Sequence, residues 1–388
     1  MKEYPLVQLG TLISQAKTVR CGEADYPVLS MTMHNGLVFQ DEKFKKVIAS
    51  KDRSNYKVVC RNQLVISFPI DEGVLAAQRI TDIGIVSPAY GIWDIDQEKV
   101  LPEFLEYALR CERALHYYKS KLRGSTARRR SLPTPTLLAF TIPLPSIDEQ
   151  LHILEIVHKV KDVIDKREKE INYLDELVKA RFIEFFGDPV KNIYNYPEHM
   201  LGDIVEFLTS GSRGWAKYYS KKGKMFITIK NVKDGQISTN NIQYITPPDN
   251  AEARRTKVQN GDLLISITAD LGRTAVVPKE IAEKGAYINQ HLMCVRLNKK
   301  VLLPEYVSFF MESEAGKRQF YAKNQNAVKA GLNFDAIKTF KIMVPPLEKQ
   351  NEYISFTKCV NKSKVAINRC TVIIGKALQS GYHYVWGN

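Results

Sequence analysis

The sequence predicts an α+β chain built twice over: two similar β-rich domains with short helices, separated by an antiparallel pair of long coiled-coil helices and related by a pseudo-twofold. Three observations predict it. Asp148 to Phe186 carries an unbroken heptad pattern without an interior Gly or Pro. Pro345 to Val385 carries a second pattern, entered through PPLEKQ much as the first is entered through PLPSIDEQ. The segment ahead of each rod runs in the same order, strands and then helix, which marks an α+β domain.

In residues 1–146, the first domain, Val7 to Gln15 reads as a short helix. Strand-like runs follow at Pro27 to Met33, Tyr56 to Cys60, Gln63 to Phe68 and Ile83 to Ile95, separated by Gly, Asn and Asp turns. Pro102 opens an amphipathic helix, Glu103 to Lys121, with Phe104, Leu105, Ala108, Leu109 and Leu115 on its apolar side. KLRGSTARRRSL comes next, and a strand-like LLAFTIPLP leads into the first rod.

Residues 147–187 hold that rod. Its seam positions include Ile153, Val157, Val160, Ile164, Ile171, Leu174 and Val178, spaced alternately three and four apart. Asp148 is the expected N-cap, and Gly187 with Pro189 ends the helix. At about 1.5 Å per residue the rod is roughly 60 Å long, and its apolar stripe needs a partner helix. Residues 348–388 supply one, with Tyr353, Val360, Ile367 and Ile374 on a seven-residue repeat. Gln150 and Gln350 are 200 residues apart, and the one clear mismatch at that offset is Arg167 against Ile367.

Residues 188–347, the second domain, repeat the first. GDLLIS at 261–266 answers NQLVIS at 62–67, LPEYVSFFM at 303–311 answers LPEFLEYAL at 101–109, and FKIMVPPLEKQ answers FTIPLPSIDEQ. The scaffold is duplicated while the loops diverge, as expected if two copies do one job on different targets.

The chain is long enough for two ordinary domains. No apolar leader opens it and no uncharged apolar run approaches 18 residues, so a cytoplasmic protein without a membrane span is expected. Six cysteines form neither a CxxC nor a zinc-type cluster and read as thiols in a reducing compartment. Net charge is +14; the first rod carries −3 and residues 348–388 carry +4, which leaves +13 on the two domains. Charge concentrated there points to a polyanion, most simply nucleic acid.

The repeated LPEF/LPEY and PLPxxxEQ-like segments, with SGSRGWAKYYSKKGKMFITIKNVKDGQI, VQNGDLLISITADLGRTAVV, YINQHLMCVRL and GLNFDAIKTFKIMVPPLEKQ, make the chain resemble the specificity subunit of a Type I restriction-modification system. The second half is the closer match. The resemblance implies two target recognition domains, each reading half of a split site in double-stranded DNA. It also implies that methylation and cleavage belong to other subunits, two methyltransferase subunits and the restriction/translocase subunits. S-adenosylmethionine, ATP and Mg would be used there, and no cofactor or metal in this chain. The alternatives are the recognition subunit of a multi-subunit Type II restriction enzyme and a non-catalytic coiled-coil interaction scaffold.

Candidate DNA contacts follow from residue chemistry. Lys121, Arg123, Arg128, Arg129 and Arg130 flank Gly124, Ser125 and Thr126, where small residues let backbone approach phosphate. In the second domain Arg213, Lys217, Lys221, Lys222 and Lys224 surround Trp215, Tyr218 and Tyr219, with Arg254 and Arg255 beyond. Asn231, Asn289, Gln290 and His291 offer side chains able to read base edges, and Lys329 is a phosphate candidate. Each has an ordinary reading beside it: charge-rich loops are commonly just solvated, and turn asparagines commonly serve the backbone.

Catalytic patterns are missing. Ser87-Pro88-Ala89-Tyr90 imitates the adenine-methyltransferase Asn-Pro-Pro-Tyr motif but lacks its second proline, and the repeat aligns it with Asn289 to Leu292, expected inside a strand. Pro248-Asp249 has no following acid-x-Lys to complete a nuclease metal site. Walker A, GxSxG and HExxH are absent as well.

Overall fold

The computed structural model describes residues 4–33, 35–43, 52–122, 132–268, 270–325 and 331–386. It divides into two compact units, Met1–Glu168 with Asn368–Asn388, and Lys169–Ile367. Both rods are present as 40-residue helices, Ile147–Phe186 and Leu347–Trp386, and the division falls near the middle of each.

In the first unit a four-stranded antiparallel sheet runs in the order Ile13–Gln15, Gly91–Ile95, Leu64–Ile66, Leu75–Ala77. The expected helix over Val7 to Gln15 does not form. Leu6–Gln8 pairs antiparallel with Thr141–Pro143, Leu9–Thr11 makes one 3-10 turn, and Ile13–Gln15 joins the sheet. The Leu9 amide donates to Phe140 O at 2.7 Å, so long-range pairing takes the donor a local helix would have used. Gly10 makes a close approach there: a Cβ would stand 3.2 Å from Leu138 Cβ and 3.4 Å from its carbonyl oxygen.

Other boundaries move for similar reasons. The single helix expected to Lys121 breaks at Cys111, whose backbone is extended (φ −67°, ψ 160°), into Pro102–Arg110 and Glu112–Lys121. Ile83 to Ile95 is two strands, Ile83–Val86 and Gly91–Ile95, with Ser87–Tyr90 as the turn between them. LLAFTIPLP is the end of a helical turn, Thr134–Leu138, followed by the strand Thr141–Pro143. Leu9, Trp93, Phe104, Tyr118, Phe140 and Leu154 of the first rod close one core.

The second unit repeats the sheet order as Val205–Ser210, Leu292–Leu297, Leu263–Ser266, Thr274–Val276, and repeats the terminal pairing as Glu198–Met200 with Lys341–Met343. Gly202 stands where Gly10 stood, 3.0 Å from Lys338 Cβ by the same test. A second sheet orders Tyr219–Ser220, Gln243–Ile245, Lys224–Ile227 and Ala286–Ile288, the last two parallel.

Two polar devices show how closely the units correspond. Gln150 is fully buried; its Oε1 accepts from Leu101 N at 2.8 Å and its Nε2 donates to Lys99 O and Pro145 O at 3.0 and 2.9 Å. Gln350 does the same with Leu303 N, Val301 O and Pro345 O at 2.9, 3.1 and 2.8 Å. The other device keeps its geometry and changes its chemistry. Gln63 accepts from Cys60 N and donates to Asp94, while Asp262 accepts from Gln259 N and takes both arms of Arg296 at 2.8 and 2.9 Å.

The heptad seam is visible in burial. Along the second rod Tyr353, Thr357, Val360, Lys364, Ile367, Thr371, Ile374 and Leu378 are all buried or half-buried, spaced four and three apart. Along the first, Ile153, Val157, Val160, Ile164, Ile171, Leu174 and Val178 are buried or half-buried, whereas Arg167 is exposed. Within the second unit the two rod segments run antiparallel: Asp175 pairs with Lys364, and farther along Tyr353 Oη donates to Val178 O at 3.0 Å amid Phe182, Phe185 and Phe186. The first rod starts at Ile147, two residues ahead of the start an Asp148 cap would give, with the Ser146 hydroxyl accepting from Glu149 N at 3.4 Å. That moves the cap from Asp148 to Ser146, and Asp148 takes a first-turn place where a carboxylate suits the helix dipole.

Candidate nucleic-acid interface

The Gly-Ser-Arg-Gly loop of the second unit is built by close backbone approach. A Cβ on Gly211 would lie 2.1 Å from Asn289 O, so no other residue fits. Ser212 N donates to Ile288 O at 2.9 Å and Gln290 N donates to Ser212 O at 3.1 Å, which ties the loop to the Asn289-Gln290-His291 turn. Gly214 takes φ +72°, and Trp215, 3% exposed, anchors the far side by stacking on Phe226 and donating Nε1 to Glu252 at 3.1 Å. Arg213, between the two glycines, is exposed. Ser212 Oγ lies 3.1 Å from Thr256 Oγ1, which brings in the helix Ala251–Thr256 with Arg254 and Arg255. The Arg213 loop is thus joined to the Asn289-Gln290-His291 turn on one side and to the helix carrying Arg254 and Arg255 on the other.

The lysines lie on the neighbouring segments 217–224. Lys224 opens the strand Lys224–Ile227, whose other end meets Ile288 and Asn289; at roughly 3.3 Å per residue the two ends are about 10 Å apart. Lys221 and Lys222 precede Lys224 in the same exposed turn, and Lys224 Nζ donates to Lys284 O at 3.0 Å. Lys217 is exposed, with Nζ 5.0 Å from the Tyr218 ring centroid.

Several candidates are already engaged. Asn231 is 4% exposed; its Oδ1 accepts from Thr228 N and Oγ1 at 3.0 and 2.9 Å and its Nδ2 donates to Ser238 O at 3.1 Å. An amide buried to this extent, with its oxygen held in a capping box, is not presented to a base, which corrects its place among the readers. Arg255 donates to Thr209 Oγ1 and to Ser210 O, and Arg254 pairs with Asp249 at 2.6 Å. Asn289 Oδ1 accepts from His291 N at 3.3 Å and so shapes the turn. Sequence reading missed Thr268, whose Oγ1 lies 2.7 Å from His291 Nδ1. Nothing local signals it, because 23 positions separate the two residues.

In the first unit the equivalent turn is Ser87–Tyr90, and both turns lie between strands and not within one. Its contacts include a 2.6 Å bond from Lys57 Nζ to Tyr90 O and a 3.4 Å bond from Ala89 N to Ser87 Oγ. Lys121 is exposed at the end of its helix; Arg123, Arg128, Arg129, Arg130 and Lys329 lie outside the described residues. Among the described residues no three His, Cys, Asp or Glu side chains converge as a metal-binding group, and no helix is long and apolar enough to cross a membrane.

Residues 196–373 match the family model of the Type I restriction modification DNA specificity domain. The Escherichia coli Type I restriction enzyme EcoBI specificity subunit is 21% identical over 312 residues, covering 70% of this chain and 65% of the relative. The Methanocaldococcus jannaschii Type I restriction enzyme MjaIX specificity subunit is 28% identical over 159 residues, 36% of each chain. The chain thus spans just under two thirds of the E. coli relative's length. A chain from a solved type I R-M system superposes with a TM-score of 0.62 at 16% identity, over 99% of this chain and 97% of that one. The S subunit of a Type I restriction-modification system from M. genitalium gives 0.50 at 11% identity, over 98% and 94%. The specificity-domain match thus lies on the residues that build the Arg213 loop and the Asn289-Gln290-His291 turn, and over nearly its whole length the chain shares its fold with solved specificity-subunit structures of Type I restriction-modification systems.

Proposed function

We propose that this chain is the DNA sequence-recognition subunit of a Type I restriction-modification enzyme. Each domain reads one half of a bipartite target, and the length of the rods sets the number of base pairs between the halves. Arginines and lysines capture the duplex through phosphates, and amide and guanidinium groups on loops read base edges. The observation that carries this reading is the specificity-domain match over 196–373, the segment in which the backbone of the Arg213 loop is tied to Gln290. The chain performs no catalysis itself. Two methyltransferase subunits bind it, restriction/translocase subunits complete the assembly, and these partners use S-adenosylmethionine, ATP and Mg in the cytoplasm.

Modified-base mapping of the host genome, with and without the gene, tests the proposal. A bipartite methylated motif that disappears on deletion supports it. An unchanged methylation pattern, together with no preference of the purified chain among duplex sequences, would leave only the scaffold reading.

A further inference from the structure

The turn after Ile288 contains a side-chain relay. Thr268 Oγ1 stands 2.7 Å from His291 Nδ1, and His291 Nε2 stands 3.1 Å from Gln290 Nε2. An amide nitrogen only donates, so His291 Nε2 accepts, the ring proton sits on Nδ1, and Nδ1 donates to the threonine hydroxyl. Both imidazole nitrogens are then used, and the imidazole is a support. Gln290 differs. One N–H is spent on His291, and the carbonyl oxygen with the second N–H has no partner among the described residues. The backbone beneath is fixed by Gln290 N donating to Ser212 O, which places Gln290 beside the exposed Arg213.

We propose that Gln290 reads an adenine in the half-site of the second domain, and that His291 and Thr268 are positioning residues that hold the polarity of its amide. A glutamine amide meets adenine in the major groove by accepting from N6 and donating to N7. A free amide turns over easily and exchanges donor for acceptor; the imidazole, itself held in one tautomer by Thr268, removes that freedom. The equivalent turn of the first domain, Ser87-Pro88-Ala89-Tyr90, carries no such amide, so the two half-sites are read by different chemistry. This inference rests on the DNA-recognition reading above.

The test is selection from a randomised duplex pool by the full chain, followed by sequencing. The wild type enriches a bipartite motif with adenine at one position of one half-site. Gln290→Leu keeps the rest of that motif and loses preference at this position, by about 10- to 100-fold. Thr268→Val relaxes the same position in part, whereas Thr268→Ser, which retains the hydroxyl, leaves it as in the wild type. The other half-site is unaltered in every variant. The inference is overturned if the variants select the wild-type motif, or if they lose affinity for all sequences alike. A wild type that enriches no motif overturns the recognition reading itself, an outcome the variants cannot imitate.

Discussion

Single residues carry the scaffold and the interface by different means. Gln350 satisfies one buried amide and two buried carbonyls, so Gln350→Leu strands three backbone groups at about 1–3 kcal/mol each. We expect a loss of at least about 3 kcal/mol in urea unfolding, and a similar loss for Gln150→Leu. Glu312 behaves differently. Burial pushes its carboxyl above the ordinary carboxylate range, against opposing hydrogen bonds from Thr274. The native chain therefore holds this proton more tightly than the unfolded chain, and stability declines as pH rises from the ordinary range toward the raised value. Glu312→Gln removes that decline while its amide oxygen still accepts from Thr274; denaturation at a series of pH values shows a flatter profile in the variant. Arg213 is exposed and flanked by glycines, so Arg213→Ala should weaken binding to every duplex and lower the salt slope by about one. Affinity measured across a salt series checks it. Candidate residue types for the interface could be named from the sequence, because base and phosphate chemistry favours amides and cations. Their availability was not: Asn231 looked like a reader and is a cap, and only the folded partners Thr228 and Ser238 decide that.

Elements divide by how local their cause is. The rods could be read from the heptads because a helix's bonds are internal and its stripe repeats in the chain. Burial confirms the stripe, including Thr357, Lys364 and Thr371 at seam positions that apolar spacing alone passed over. Tyr353 is fully buried against Phe182, Phe185 and Phe186 in the second unit's rod contact. Tyr353→Ala should cost about 3–5 kcal/mol, whereas Ser363→Ala on the exposed face should cost almost nothing; thermal and chemical unfolding separate them. Short strands were the least legible elements. Leu6–Gln8 exists only because Thr141–Pro143 lies beside it, more than 130 residues away, and Val7 to Gln15 by itself has a helical pattern. The break at Cys111 was hidden for the same reason, since the apolar spacing on its two sides is compatible with one continuous helix.

At the scale of the whole molecule, duplication joins the parts. Deleting one heptad from the first rod should change the gap between half-sites and leave both half-sites intact; methylome mapping of the variant reads this directly. An altered base within a half-site would instead assign the rod to base reading. The sequence by itself determined the duplicated order of elements, the two rods, the concentration of positive charge on the domains and the absence of catalytic motifs, because each is written in spacing or composition. Only the tertiary structure decided that Gln63 with Asp94 and Asp262 with Arg296 are one device in two chemistries, that the backbone of the Arg213 loop is tied to Gln290, and that Thr268 supports His291. Such relations depend on which distant segments close together, and a hydrogen bond is satisfied by whatever partner the fold brings within reach.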